Sequence, residues 1–127
     1  MQSFALFQII PTREMHEHIN KHGWGALDDI PAFAAAQELS VKGHDAFVVT
    51  HSVFFDHVAT IDAEDLEDAF RVGNMGPDCQ IERHARMHSP SVGDVLVDLE
   101  TGRSFMIDPF GHSRVNFNTN MAGGLAC

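Results

Sequence analysis

The spacing of apolar residues switches between strand-like and helical periods along the chain, and the switches predict its elements. Residues 4–10 read FALFQII, an apolar run that stops at Pro11, which predicts a buried strand. Thr12 is placed to cap a helix in which Met15, Ile19 and His22 recur at helical spacing until Gly23 and Gly25 break the pattern. Ile30, Phe33 and the alanines at 34–36 predict a second helix over residues 27–39, with Pro31 in its first turn. Residues 47–55, FVVTHSVFF, are rich in β-branched and aromatic side chains and follow a turn signal at 43–45, so they are expected to form a central strand.

A third helix is expected from Asp62, with Ala63, Leu66, Ala69 and Phe70 on its apolar face and Gly73 as its end. Residues 81–88 are expected to add one or two helical turns before Pro90. Residues 92–97 and Ser104–Ile107 flank a turn at 100–102 and predict a β-hairpin, followed by a short strand near 114–117. Patterning fades from Asn118. The expected organisation is one α+β domain over 1–117, a mostly antiparallel sheet with three or four helices packed on one face, and a flexible tail at 118–127.

Composition supports a single unit: 127 residues, 44% hydrophobic and 20% charged. No apolar run approaches the roughly 20 residues that cross a bilayer, and the opening MQSFALFQIIPTREM has neither a basic segment nor a small-residue cleavage site. A cytoplasmic location with no membrane contact is expected. The two cysteines, Cys79 and Cys127, form no C-x-x-C pair.

Charge changes the picture more. The formal net charge is −10, which opposes direct binding to nucleic acid. Residues 28–68 hold ten acids and one base, Lys42, so one segment carries nearly all of the excess. If a helix begins at Asp62, five carboxylates over residues 62–68 span about 9 Å, a charge spacing close to that of duplex DNA. Asp28, Asp29, Asp56, Asp62, Glu64, Asp65, Glu67 and Asp68 are therefore the candidate contacts to a protein with a basic surface. Plain solubility of a small protein accounts for the same acids.

Part of the second half adds a direction. Ser89, Ser91, Val92, Asp94 and Val95, then Phe105, Ile107, Asp108, Phe110 and Gly111, follow the order of a strand motif and a second apolar motif ending in Asp-x-x-Gly character. On these residues, segment 63–115 resembles the YodL-like and related small domains carried by bacterial plasmids, integrative elements and phages. Pro109 before Phe110 and His112 after Gly111 depart from that pattern. The resemblance implies an accessory protein of a mobile element and supplies no catalytic residues. Within the motif itself, Gly93 suits a bulge or close approach, and Ser91 or Asp94 suits a bond to local backbone at the strand entry.

Nine histidines include two pairs at i and i+4, His18/His22 and His84/His88, the spacing at which one helix face chelates zinc or nickel, with Glu14 as a third ligand to the first pair. Neither pair sits in H-E-x-x-H. His22 and His88 fall on the apolar stripes of their expected helices and are expected to be partly buried. No phosphate-binding loop or nucleophile elbow is present.

The expected function is a non-enzymatic accessory protein without cofactor or assigned metal, which binds another protein through its acidic surface. A nucleic-acid-mimicking inhibitor of a host defence complex, of anti-restriction or anti-CRISPR type, is one form of it. The alternative is a small metal- or cysteine-dependent enzyme that uses the clustered histidines or Cys79.

Overall fold

The structure is a computed structural model and describes residues 1–123. The chain runs β1 (Gln2–Gln8), α1 (Arg13–His22), α2 (Pro31–Lys42), β2 (Asp56–Ala63), α3 (Leu66–Met75), β3 (Ile81–Arg83), β4 (Val95–Asp98), β5 (Ser104–Ile107) and β6 (His112–Val115). Short 3-10 segments fill Trp24–Asp29, Gly43–Ala46, Val49–Phe54 and Asp78–Gln80. Strand order is β3-β2-β1-β4-β5-β6, and every neighbouring pair is antiparallel. This is the expected α+β class.

Because side chains alternate across a strand, β1 sends successive residues to opposite faces, and both faces are covered. Phe4 and Leu6 join Ile61 and Leu96 under Ala69 and Val72 of α3. Ala5 and Phe7 join Val95, Val97 and Met106 under Ala35 and Leu39 of α2, with Phe55 and Phe117 completing that core. The helices are thus divided between two faces, where one covered face was expected. A strand of continuous apolar character has no face to leave in water.

Three local expectations are corrected. Residues 47–55 are not a strand: Val48 and Val49 are exposed, whereas Ser52 and Phe55, three apart, are buried, which is the period of the 3-10 turn they form. The central strand comes one element later, at Asp56–Ala63. Residues 81–88 are not helical, since Ile81–Arg83 pairs with β2 and the backbone N–H of His84 bonds to the carbonyl of Val58 at 2.8 Å. The third helix begins at Leu66, with Asp62 and Ala63 still in β2, and it runs past Gly73 to a cap at Gly76.

Gly73 is helical for a packing reason. A Cβ there would lie 2.5 Å from Cγ of Pro90 and 3.2 Å from Cδ1 of Ile61. The missing side chain lets α3 approach the sheet and the chain at Pro90. Thr12 caps α1 as expected, its hydroxyl accepting the Met15 N–H at 3.2 Å. Beyond β6, the N–H of Asn118 bonds to Oγ of Ser52 at 3.0 Å, and that of Gly123 to the carbonyl of Phe55 at 2.7 Å. The rest of the expected flexible tail, with Cys127, lies outside the described residues. Among the described residues, no helix is long and apolar enough to cross a membrane.

Substituting Gly73→Ala should lower stability despite the better helix propensity of alanine, worth about 1 kcal/mol. Overpacking against Pro90 costs about 1–3 kcal/mol and should win. Thermal melts should show a Tm lower by a few degrees, whereas Gly25→Ala, which meets nothing within 4 Å, should show no such loss.

Candidate functional site

The acidic residues do not form one helical face. Asp62 is on β2, Glu64 and Asp65 are in the turn, and only Glu67 and Asp68 belong to α3. The even spacing along one helix, on which the likeness to duplex DNA depended, is therefore absent. Asp65 instead caps the helix, and Asp68 bonds back to the turn before it. Asp65 accepts the Asp68 N–H at 2.8 Å, and Asp68 accepts the Glu64 N–H at 3.0 Å while binding Arg71. These bonds to the Glu64 N–H and to Arg71 hold the Asp68 carboxyl below its ordinary pKa. Asp62 accepts the Ser3 hydroxyl at 2.8 Å.

Asp62, Glu64, Asp65 and Glu67 are nonetheless all exposed and close together in the chain. Asp56 begins β2, about 20 Å from Asp62 at the strand rise, and burial raises its pKa. It lines a different cavity, with Ile9, Met15 and Phe54. Asp28 and Asp29 are exposed in the segment before α2, and Asp29 meets Nε2 of His18 at 3.3 Å.

The histidine pairs part company. His18 and His22 keep their helical relation on α1, with ring centroids 4.6 Å apart, but His22 is exposed and not partly buried as its stripe suggested. His84 and His88 are not on a helix. His84 meets Oγ1 of Thr60 at 2.8 Å and stacks obliquely on His57, while His88, also exposed, sits beside Gln8 and Asp94. Glu14 is exposed on α1, and Cys79 is exposed in its 3-10 turn. Among the described residues, no three His, Cys, Asp or Glu side chains gather as a metal-holding group.

Two buried carboxylates in the segment 89–111 organise the polar interior. Asp94, 5% exposed, accepts the Gln8 amide N–H at 3.0 Å and the Ser91 backbone N–H at 2.9 Å, both on Oδ2. Gln8 is wholly buried. Its Nε2 also donates to the His88 carbonyl at 2.9 Å, and its Oε1 accepts the His88 N–H at 3.2 Å, so the amide pairs with His88 as a strand neighbour does. Burial pushes the Asp94 carboxyl up to about 6, against the opposing pull of Ser91, His88 and Gln8.

Asp108 is the second. It accepts the His44 backbone N–H at 2.8 Å, the His44 imidazole at 2.9 Å and the Ser113 hydroxyl. Gly43, at φ +62, makes room for it, since a Cβ there would lie 2.4 Å from Oδ1 of Asp108. Burial opposes ionisation of Asp108, but its bonds to Ser113 and His44 outweigh that and its pKa falls. The bond to Asp108 raises the pKa of His44. Cavities flank both sites: about 190 Å³ between α2 and residues 88–94, and about 430 Å³ beside His44, rimmed by the fully exposed Phe110.

The sequence pattern anticipated the local bond between Ser91 and Asp94 but not Gln8 as a further partner of Asp94, nor His44 and Ser113 as the partners of Asp108. A signal existed for one of them, because Gln8 is the single polar residue in FALFQII. Gly93 does make the expected close approach: at φ +96, a Cβ would lie 3.0 Å from the backbone of Leu39. No family model, curated protein or solved structure matches the chain.

Two titrations follow from these carboxylates. The folded Asp94 holds its proton to about pH 6, whereas an unfolded one releases it near 3.8, so the folded state binds more protons between those values. Its contribution to stability is full below that window and is lost as pH rises through it, on the order of 3 kcal/mol. Asp94→Asn should remove this dependence and equal or exceed the wild type in stability at pH 7.5, measured by denaturant melts.

The His44–Asp108 tie has limits on both sides. His44, with a raised pKa, contributes below pH 6.5 and loses its contribution as pH rises through the folded value; Asp108, with a lowered one, contributes above 3.8 and loses its own as pH falls through the folded value. In an NMR titration the His44 midpoint should stand above 6.5 and drop in Asp108→Asn.

Proposed function

We propose that the chain is a non-enzymatic binding protein that engages another protein with a basic surface, mainly through the acids at the β2–α3 junction. The observation that supports this reading is the set Asp62, Glu64, Asp65 and Glu67, exposed within six residues, while the base that follows in α3, Arg71, is already taken by Asp68. Charges held on a strand end and a capped helix start present a fixed pattern to a partner. Such a pattern raises association rate and specificity more than raw affinity. Asp28 and Asp29 extend the acidic surface elsewhere on the molecule. The resemblance of segment 63–115 to domains of plasmids and phages makes a host nucleic-acid-binding complex, such as a restriction or CRISPR nuclease, the partner class to test first.

The test joins a fourfold variant to purified candidates of that class. In Asp62→Asn/Glu64→Gln/Asp65→Asn/Glu67→Gln, the asparagine at 65 keeps the helix cap and Asp68 keeps its bonds. Melting should stay within a few degrees of wild type. Each exposed ion pair lost is worth about 0.2–1 kcal/mol, so four should weaken a real complex by roughly fourfold or more, and salt should weaken the wild-type complex in the same direction. A genuine partner whose affinity ignores both changes rules the reading out.

A further inference from the structure

The turn that joins β5 to β6 holds an apolar side chain out in solvent on a fixed backbone. Phe110 is 96% exposed. Pro109 before it has a ring-locked φ, Gly111 after it stands at φ +82, and Asp108 is tied to His44 and Ser113 while its own N–H bonds to the Gly111 carbonyl at 2.9 Å. Between this turn and α3 lies a groove of about 390 Å³, walled chiefly by Phe70, Pro90, Val92, Ile107, Pro109 and His112. The His112 ring meets that of Phe70 edge to face, centroids 6.2 Å apart, and its buried Nε2 makes no hydrogen bond. The other polar side chains of the lining are already engaged, Ser91 with Asp94 and Asp108 with His44 and Ser113.

Two charges of opposite sign flank the groove. Glu67, exposed on α3 one turn before Phe70, acts through its charge on His112, whose pKa burial nonetheless lowers. Arg114 is exposed on β6. Because Phe105 pairs with Arg114 and Ile107 with His112, the arginine shares the sheet face of His112, about 7 Å along the strand. Among the described residues, neither Glu67 nor Arg114 makes an ion pair, whereas Arg71 of α3 is held by Asp68.

We propose that this face is the interface of a symmetric dimer, in which Phe110 of each chain enters the groove beside α3 of a second copy. A two-fold contact requires one patch to hold both a shape and its complement, and here the protruding ring and the groove adjoin at Pro109. The groove has room for a phenyl ring, since an apolar cavity of about 150 Å³ holds benzene. The flanking charges select the occupant. A basic partner would meet Arg114 and an acidic one Glu67, whereas a second copy turned about the two-fold axis brings an arginine to the acid and an acid to the arginine. The net charge of −10 makes two copies repel at long range, and salt at about 0.15 M screens that repulsion beyond about 8 Å. The dimer does not depend on the acidic surface proposed above, because Asp62, Glu64 and Asp65 do not line the groove; Glu67 alone is common to both.

The experiment is sedimentation equilibrium of the full chain at about pH 7.5 and about 0.15 M salt, with NMR spectra over a dilution series. The expected result is a monomer–dimer equilibrium in the micromolar to millimolar range, with shifts on dilution at Phe70, Val92, Ile107 and His112 as well as at Phe110. Phe110→Ala should raise the dissociation constant about tenfold or more and abolish the shifts in the groove. Its Tm should stay within a few degrees of wild type, because so exposed a ring contributes little to the fold. Glu67→Arg and Arg114→Glu should each raise the dissociation constant about threefold or more, and the two together should restore it, which unspecific apolar association does not do. A chain that stays monomeric to about 1 mM, growth beyond the dimer, a dimer indifferent to Phe110→Ala, or a double reversal that restores nothing overturns the proposal.

Discussion

β1 hydrogen-bonds to β2 along one side and to β4 along the other, so neither edge of it is free and both faces of FALFQ meet protein. Burying Phe4, Leu6 and Phe7 contributes roughly 1.5–3 kcal/mol each, and none of that is available if a face is left in water. From this follow the two-sided arrangement, with α3 over one face and α2 over the other, and the need for Gly73 and Gly93 where helix α3 and helix α2 come close to the rest of the chain.

The same strand explains the polar interior. β1 ends in Gln8, which the sheet carries into the core, and a buried amide left without partners costs a few kcal/mol. His88 and Asp94 supply its bonds. That network draws the irregular segment between β3 and β4 against the sheet and holds Asp94 in the lining of a cleft. Asp108 performs the matching task on the other strand at the same open end of the hairpin, joining the residues after α2 to β6 through His44 and Ser113. Two acids of the segment 89–111 therefore fasten loops to the sheet.

The exposed acids behave differently from the buried ones. Asp65 caps α3, Asp68 ties the turn to it and Asp62 accepts from Ser3, so several of these acids hold local structure while Asp62 and Asp65 stay exposed. Asp56 is separated from the others by the length of β2. The exposed acidic surface is smaller and more defined than a count of carboxylates suggests, and its geometry comes from a strand end and a helix start.

Where residues interact with near neighbours, the sequence by itself determined the outcome. Thr12 as a cap, Pro31 at a helix start, the β4–β5 hairpin and the strand at the beginning of the chain all rest on bonds or dihedral limits within a few residues. The α+β class follows from their order. Where the deciding partner is distant, local pattern misleads: residues 47–55 have strand composition but no ladder, β3 is a strand because β2 offers it one, and Gly73 stays helical because Pro90 packs on it. The His44–Asp108 and Gln8–Asp94 contacts join residues 64 and 86 apart. Only the tertiary structure decided them, because desolvation and close approach are properties of the packed chain and carry no spacing that a sequence displays.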